Sequence, residues 1–235
     1  MSKPTEFTGF GKESLKFLKA LGFHQNREWF HENKAIYDAE IKLPMGDLVE
    51  DLSERLAAKK IPLKGDRKNS LYRVNRDVRF SKNKDPYVTH ASAMLTRSGT
   101  KKDNGFLYMH YSNERAFIAA GFYGLEGEEL RAFRELICRE QQTMGGLVSA
   151  MEKQGYRLET DGAMKRNPRG FEQVDDPQLQ GWVRLKNHVF MEELTPEIFQ
   201  SPELAKRMVK LAEKALPFLD FGWRAIGSVR DEPQA

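Results

Sequence analysis

The stretch Gly105-Phe-Leu-Tyr-Met-His-Tyr-Ser-Asn-Glu-Arg-Ala-Phe-Ile-Ala-Ala-Gly-Phe-Tyr123 decides the fold class. Two apolar, aromatic-rich runs, Gly105 to Tyr111 and Ala116 to Tyr123, flank the polar residues Ser112, Asn113, Glu114 and Arg115. Strand formers on either side of a short polar turn read as a β-hairpin, and a hairpin implies an antiparallel sheet. Upstream, Thr89 to Arg97 is a further strand candidate. From Ser70 the period is also two: Tyr72, Val74, Val78 and Phe80 alternate with Arg73, Asn75, Asp77 and Arg79. One side of such a strand is largely apolar, with Arg76 its exception, and the other projects charge.

Helical spacing dominates outside this centre. Leu15, Leu18 and Leu21 form a stripe over Lys12 to Leu21, which Gly22 is expected to end. Asn26 suits an N-cap for a segment carrying Trp29, Phe30, Ile36, Tyr37 and Ile41, and Pro44 marks a bend into a new helix with Leu48, Val49, Leu52 and Leu56 inside. Lys59 to Asn69 is polar enough for a loop. After the hairpin, Glu128 to Arg139 and Leu147 to Lys153 read as helices, His188 to Met191 as a strand, and Ser201-Pro202 as the opening of a helix that Pro217 is expected to end. Helices, then antiparallel strands, then helices define an α+β class. The expectation is a single domain over residues 7–221, mainly an antiparallel sheet with the helices before and after it packing on one face, and polar tails at 1–6 and 228–235. Strands and helices do not alternate regularly and no Gly-x-Gly-x-x-Gly turn follows a strand, which argues against a doubly wound nucleotide-binding fold.

Composition narrows the class further. Of 235 residues 40% are hydrophobic, and 15 Phe, 7 Tyr and 3 Trp provide a core, which excludes wholesale disorder. No apolar run approaches the roughly 18 residues of a membrane span and the first residues lack an apolar leader, so the expectation is a cytoplasmic protein with no membrane partner. The single Cys138 excludes an internal disulfide and a Cys-rich zinc site. His31-Glu32 would start a zincin motif, but Ala35 stands where the second histidine is needed. Neither a metal nor a cofactor is expected, and oligomeric state is not legible.

Charge is concentrated. Lys59 to Lys102 holds thirteen Lys or Arg against three Asp, a local +10 in a chain whose formal net charge is +4. Such asymmetry points to an anionic partner, a phosphorylated small molecule or nucleic acid. Within the block, Arg73, Arg76 and Arg79 and the loop cations Lys82 and Lys84 are the candidate ligand contacts. Alternate strand residues stand about 6.6 Å apart on one side, so Arg73 and Arg79 could pin a phosphate bidentately with Asp77 holding them. The same residues suit an Arg and Asp network tying strand to loop. Tyr72, Phe80 and Tyr87 interleave with the cations as in grooves for single-stranded nucleic acid, although edge aromatics also serve cores. An alternative is a metal-independent enzyme in which Asp77, His90 or His110 moves a proton. A third is an interaction module whose basic block docks an acidic protein. Whether the protein is an enzyme is not legible. Gly121, Gly124 and Gly127 read as turn residues, because Glu126, Glu128 and Glu129 would repel a phosphate there.

Four segments together resemble a known family. They are Asn26-Arg-Glu-Trp-Phe30, the run Arg73 to Tyr87 with its core Arg76-Asp-Val-Arg-Phe-Ser-Lys-Asn-Lys-Asp-Pro-Tyr87, Phe117 to Tyr123, and Lys165-Arg-Asn-Pro-Arg-Gly-Phe171. In this order they are similar to the bacterial and fungal proteins grouped as domain of unknown function 2461, over about residues 7–221. The resemblance implies one domain covering nearly the whole chain. It implies no catalytic residue, cofactor or substrate.

Overall fold

The computed structural model describes residues 6–79 and 82–230. Phe80, Ser81 and most of both tails, which the sequence reading included, lie outside the described residues. Ten residues of amphipathic sequence form α1 (Ser14–Phe23), followed by α2 (Arg27–Glu32) and α3 (Lys34–Tyr37). A π-helical stretch, Asp38–Lys42, leads into α4 (Leu43–Ala58). Then come β1 (His90–Thr96), β2 (Phe106–Ser112), β3 (Ala116–Phe122), α5 (Gly127–Arg139), α6 (Gln141–Glu152), β4 (Arg157–Leu158), α7 (Pro177–Val183), β5 (His188–Glu193), α8 (Pro196–Phe199) and α9 (Glu203–Arg230). The strands form an antiparallel sheet in the order β1-β2-β3-β5-β4, and helices flank it, which is an α+β architecture.

By density of internal contacts the chain divides into two compact units. The first comprises Met1–Asp103, Leu107–Ile118 and Glu193–Lys210. Its core is built by α1 and α4 with β1 and β2: Leu21, Ile41, Leu48, Leu52, Leu95 and Met109 are essentially inaccessible. The Asn26 side chain accepts from the Trp29 N–H at 2.9 Å, capping α2 as its residue type predicts. Tyr111 stacks on Phe199 at 4.8 Å, and its hydroxyl meets Ser14 Oγ and Gln200 Nε2, so a buried phenol is satisfied on both sides.

The second unit comprises Asn104–Phe106, Ala119–Glu192 and Leu211–Ala235. Phe122, Phe133, Phe190 and Phe218 interlock there at ring separations of 5.0 to 6.3 Å. Gly121 is at φ +147°, and a Cβ on it would lie 2.2 Å from the His188 carbonyl oxygen. Only glycine permits β3 to come this near β5. His188 is fully buried; its Nε2 lies 3.1 Å from the Trp182 carbonyl and its Nδ1 has no partner. Arg134, 7% exposed, donates to the Leu185 carbonyl at 3.0 Å.

Several expectations are corrected. Ser70 to Arg79 is not a strand: among the described residues only the bridges Leu71↔Ala93 and Asn75↔Tyr87 form along it. The Tyr72 N–H reaches the Ser92 carbonyl, but by Arg76 the chain has changed partner and pairs with Pro86 instead. Alternation reports which side of an extended chain faces water, and it does so in part here: Arg73, Asn75, Asp77 and Arg79 are all exposed and Val74 is buried, but Tyr72 is exposed as well. It does not say whether a neighbour exists for the backbone groups. α1 runs through Gly22 to Phe23. α6 starts at Gln141, six residues earlier than its apolar stripe suggests. Pro217 does not end α9, which continues to Arg230. Its ring is on the exposed side, where water can reach the carbonyl one turn back that a proline cannot satisfy.

Candidate functional site: a basic cleft in the first unit

A cleft of about 900 Å³ opens between the α3 to α4 segment and the irregular chain from Arg67 to Asn75, with the turn Thr100 to Lys102 closing one side. Seven cationic side chains line it, against a single carboxylate, that of Asp38. Phe30, Tyr37 and Val74 supply apolar wall. Burial, with Asp38 next, pushes the Tyr37 hydroxyl up to about 12, so it stays a neutral phenol.

The cations fall into two groups. Asp38 holds Lys34 and lies 3.9 Å from Lys42, one α-helical turn to either side. Arg67 is gripped by Glu50 at 2.7 Å through Nε and by Asp47 through Nη2, and these hydrogen bonds raise its pKa. Planar guanidinium meeting two acids in this way is a structural tie between α4 and the loop. The second group, Lys68, Arg73, Lys101 and Lys102, has no carboxylate within ion-pair distance among the described residues. Asp66 acts electrostatically on Lys68 and Lys101 from farther away.

Local structure fixes this second group in place. Asp66 Oδ1 accepts from the Lys68 and Asn69 N–H groups at 2.8 Å each, a side-chain-closed turn that sets the backbone under Lys68. Lys101 Nζ donates to the carbonyls of Asn69 at 2.7 Å and Leu71 at 2.9 Å, and lies 5.0 Å from the centre of the Tyr72 ring. It thereby ties the Thr100 to Lys102 turn to the Asn69 to Tyr72 segment. Burial and then the nearby Arg73 charge lower its pKa, and Asp66 from farther away opposes them only in part.

The other residues singled out in the sequence lie outside the lining of this cleft. Arg76 is half-buried and donates to the Tyr87 carbonyl at 3.3 Å. Arg79 pairs with Asp77 at 2.7 Å, both well exposed, and that pairing lowers the Asp77 pKa. Lys84 reaches the Val78 carbonyl at 2.9 Å, and Lys82 is exposed in the same loop. His90 and His110 do meet, stacked at 4.6 Å on β1 and β2, with Phe117 stacked on His110 at 5.0 Å and Arg115 over Phe117 at 5.0 Å. Burial, with Arg76 next, lowers the His90 pKa; burial, with His90 and Arg115 next, brings His110 down to about 4. Both imidazoles are kept neutral at pH 7, and Asp77 is engaged with Arg79 rather than with either. Among the described residues no group of three or more His, Cys, Asp or Glu could hold a metal ion, and no helix is long and apolar enough to cross a membrane.

Of the predicted ligand contacts, the cleft contains Arg73; it adds Arg67, Lys68, Lys101 and Lys102 from the basic block and Lys34 and Lys42 from outside it. The spacing Lys34, Asp38, Lys42 was the available signal, since a carboxylate bracketed by lysines four residues either side reads as one charged helix face.

An α+β chain with an open, cation-lined cleft is the class that this structure defines. Residues 13–221 match the family described as conserved hypothetical protein (DUF2461), and the chain belongs to that family. No curated protein and no solved structure matches it.

Proposed function

We propose that the protein binds a phosphorylated anion in the cleft of the first unit. The observation that carries this reading is the set of four positive side chains, Lys68, Arg73, Lys101 and Lys102, that line one cavity with no carboxylate in ion-pair range among the described residues. Like charges brought together repel one another, and that repulsion is relieved when an anion enters. Arg73 supplies a planar fork for two phosphate oxygens, the lysines act as point charges, and Asn69 and Thr100 offer neutral hydrogen bonds.

Phosphate on a small molecule and phosphate in a nucleic-acid backbone share this chemistry, and titration separates them. Isothermal titration at low and moderate salt with a ribose phosphate and with a single-stranded oligonucleotide is the test. A small ligand saturating with one site and a shallow salt slope identifies the first source. Oligonucleotide binding that weakens steeply with salt, through release of condensed counterions, identifies the second. Absence of binding by both at low salt refutes the reading.

A further inference from the structure

We infer that the ligand of the cleft carries at least two linked phosphoryl groups, as in a diphosphate ester, rather than one. This deepens the anion-binding reading and rests on it. The argument is one of charge balance and fixed position. Lys34, Lys42 and Arg67 are already matched by Asp38, Asp47 and Glu50, and Asp66 acts on Lys68 and Lys101 from farther away, which leaves Lys68, Arg73, Lys101 and Lys102 with a net charge of about +3 for the ligand. A phosphate monoester carries about −1.5 to −2 charges at pH 7, so it would leave part of this charge unneutralised; a second linked phosphoryl group adds about one more negative charge.

Position leads the same way. The four cations come from two separate segments, Lys68 to Arg73 and Lys101 to Lys102, which the Lys101 ammonium ties together through the Asn69 and Leu71 carbonyls. The Asx turn at Asp66 stiffens the first segment under Lys68. Cations carried on two segments that Lys101 ties together give a linked pair of phosphoryl groups one contact set each. The volume of about 900 Å³ is several times that of a single phosphate, and lies within the range of small-molecule sites.

The test uses the full chain, metal-free buffer with a chelator, fixed ionic strength, and inorganic phosphate and pyrophosphate as probes. Pyrophosphate should bind about tenfold or more tightly than phosphate, a difference of about 1.4 kcal/mol. A general attraction of any basic surface for the more highly charged probe is separated by two double variants. Arg73→Ala with Lys102→Ala should collapse the preference, whereas Lys82→Ala with Lys84→Ala, on the exposed loop, should leave it intact. Equal affinities for the two probes, or equal losses in both double variants, overturn the inference. If phosphate binding is still lost only in the cleft variant, the anion-binding reading survives that result. If neither probe binds the wild type, both fall.

Discussion

In the cleft, Arg67 is half-exposed and meets two carboxylates; in the second unit, Arg134 is 7% exposed and meets a carbonyl and the sulfur of Met164. The more deeply buried guanidinium has the poorer complement of acceptors, and its Nε has none among the described residues. Beside it His188 is kept neutral, its pKa brought down to about 4 by burial first and the Arg134 charge as a lesser cause. The interior around His188 therefore holds its polar groups in place by packing, at some cost in solvation. The cleft holds its charges where water and ions reach them. Substitution around His188 should appear in folding, and substitution in the cleft should appear in binding.

The strongest challenge to this contrast is Gly121→Ala. The added Cβ meets backbone atoms of His188 and Val189 at 2.2 and 2.8 Å, which cannot rotate aside, and the residue keeps a φ that alanine avoids. A loss of about 3 kcal/mol or more in urea unfolding is expected. A loss under 1 kcal/mol would mean that β3 and β5 are less tightly set than described.

Acid should act next. A histidine with folded pKa near 4 takes up its proton in the unfolded chain first, near pH 6.5, so its contribution is complete above that pH. Stability should then fall as pH drops from about 6.5 towards 4, by up to about 1.4 kcal/mol per pH unit for each such group. His188 and His110 both belong to this class. Urea midpoints measured across that window should slope less steeply in His188→Gln than in the wild type. Equal slopes would remove His188 from the explanation.

The smallest effects distinguish the two basic segments. Arg73→Ala should lower pyrophosphate affinity about tenfold, and its unfolding free energy should stay within about 0.5 kcal/mol of the wild type, as exposed substitutions usually do. Arg79→Ala removes an exposed arginine that pairs with exposed Asp77 and lies outside the cleft lining, and should change neither melting nor affinity. If Arg79→Ala weakens binding as much as Arg73→Ala, the loop belongs to the site after all.

Much of the fold was legible because its signals were local. The Asn26 cap, the turn at Ser112 to Arg115 and the acidic first turn of α5 each rest on a few neighbouring residues, and each forms. The segment after Ser70 was not, because an alternating pattern carries no information about a distant partner strand. Pro217 misled for a related reason: a proline ends a helix only when nothing else holds the turns on both sides, and Phe218, Leu219 and Phe221 are buried beyond it. The site was half legible. Its basic block announced itself by charge density, yet density could not separate Arg73, which lines the cleft, from Arg79, which does not.

The π-helical stretch Asp38–Lys42 has a consequence for length. The Leu43 N–H bonds back to the Asp38 carbonyl, five residues away, so this turn holds one residue more than an α-helix would. That extra residue shifts everything before it by about 100° around the helix axis relative to everything after it. Lys34 and Tyr37 share the cleft wall with Lys42 and Met45 across this wider turn. Deleting one residue here, at the exposed Ala39, would restore α-helical register and rotate Lys34 by about 100° relative to Lys42, so chain length here, and not only residue identity, sets how the cleft presents its charge.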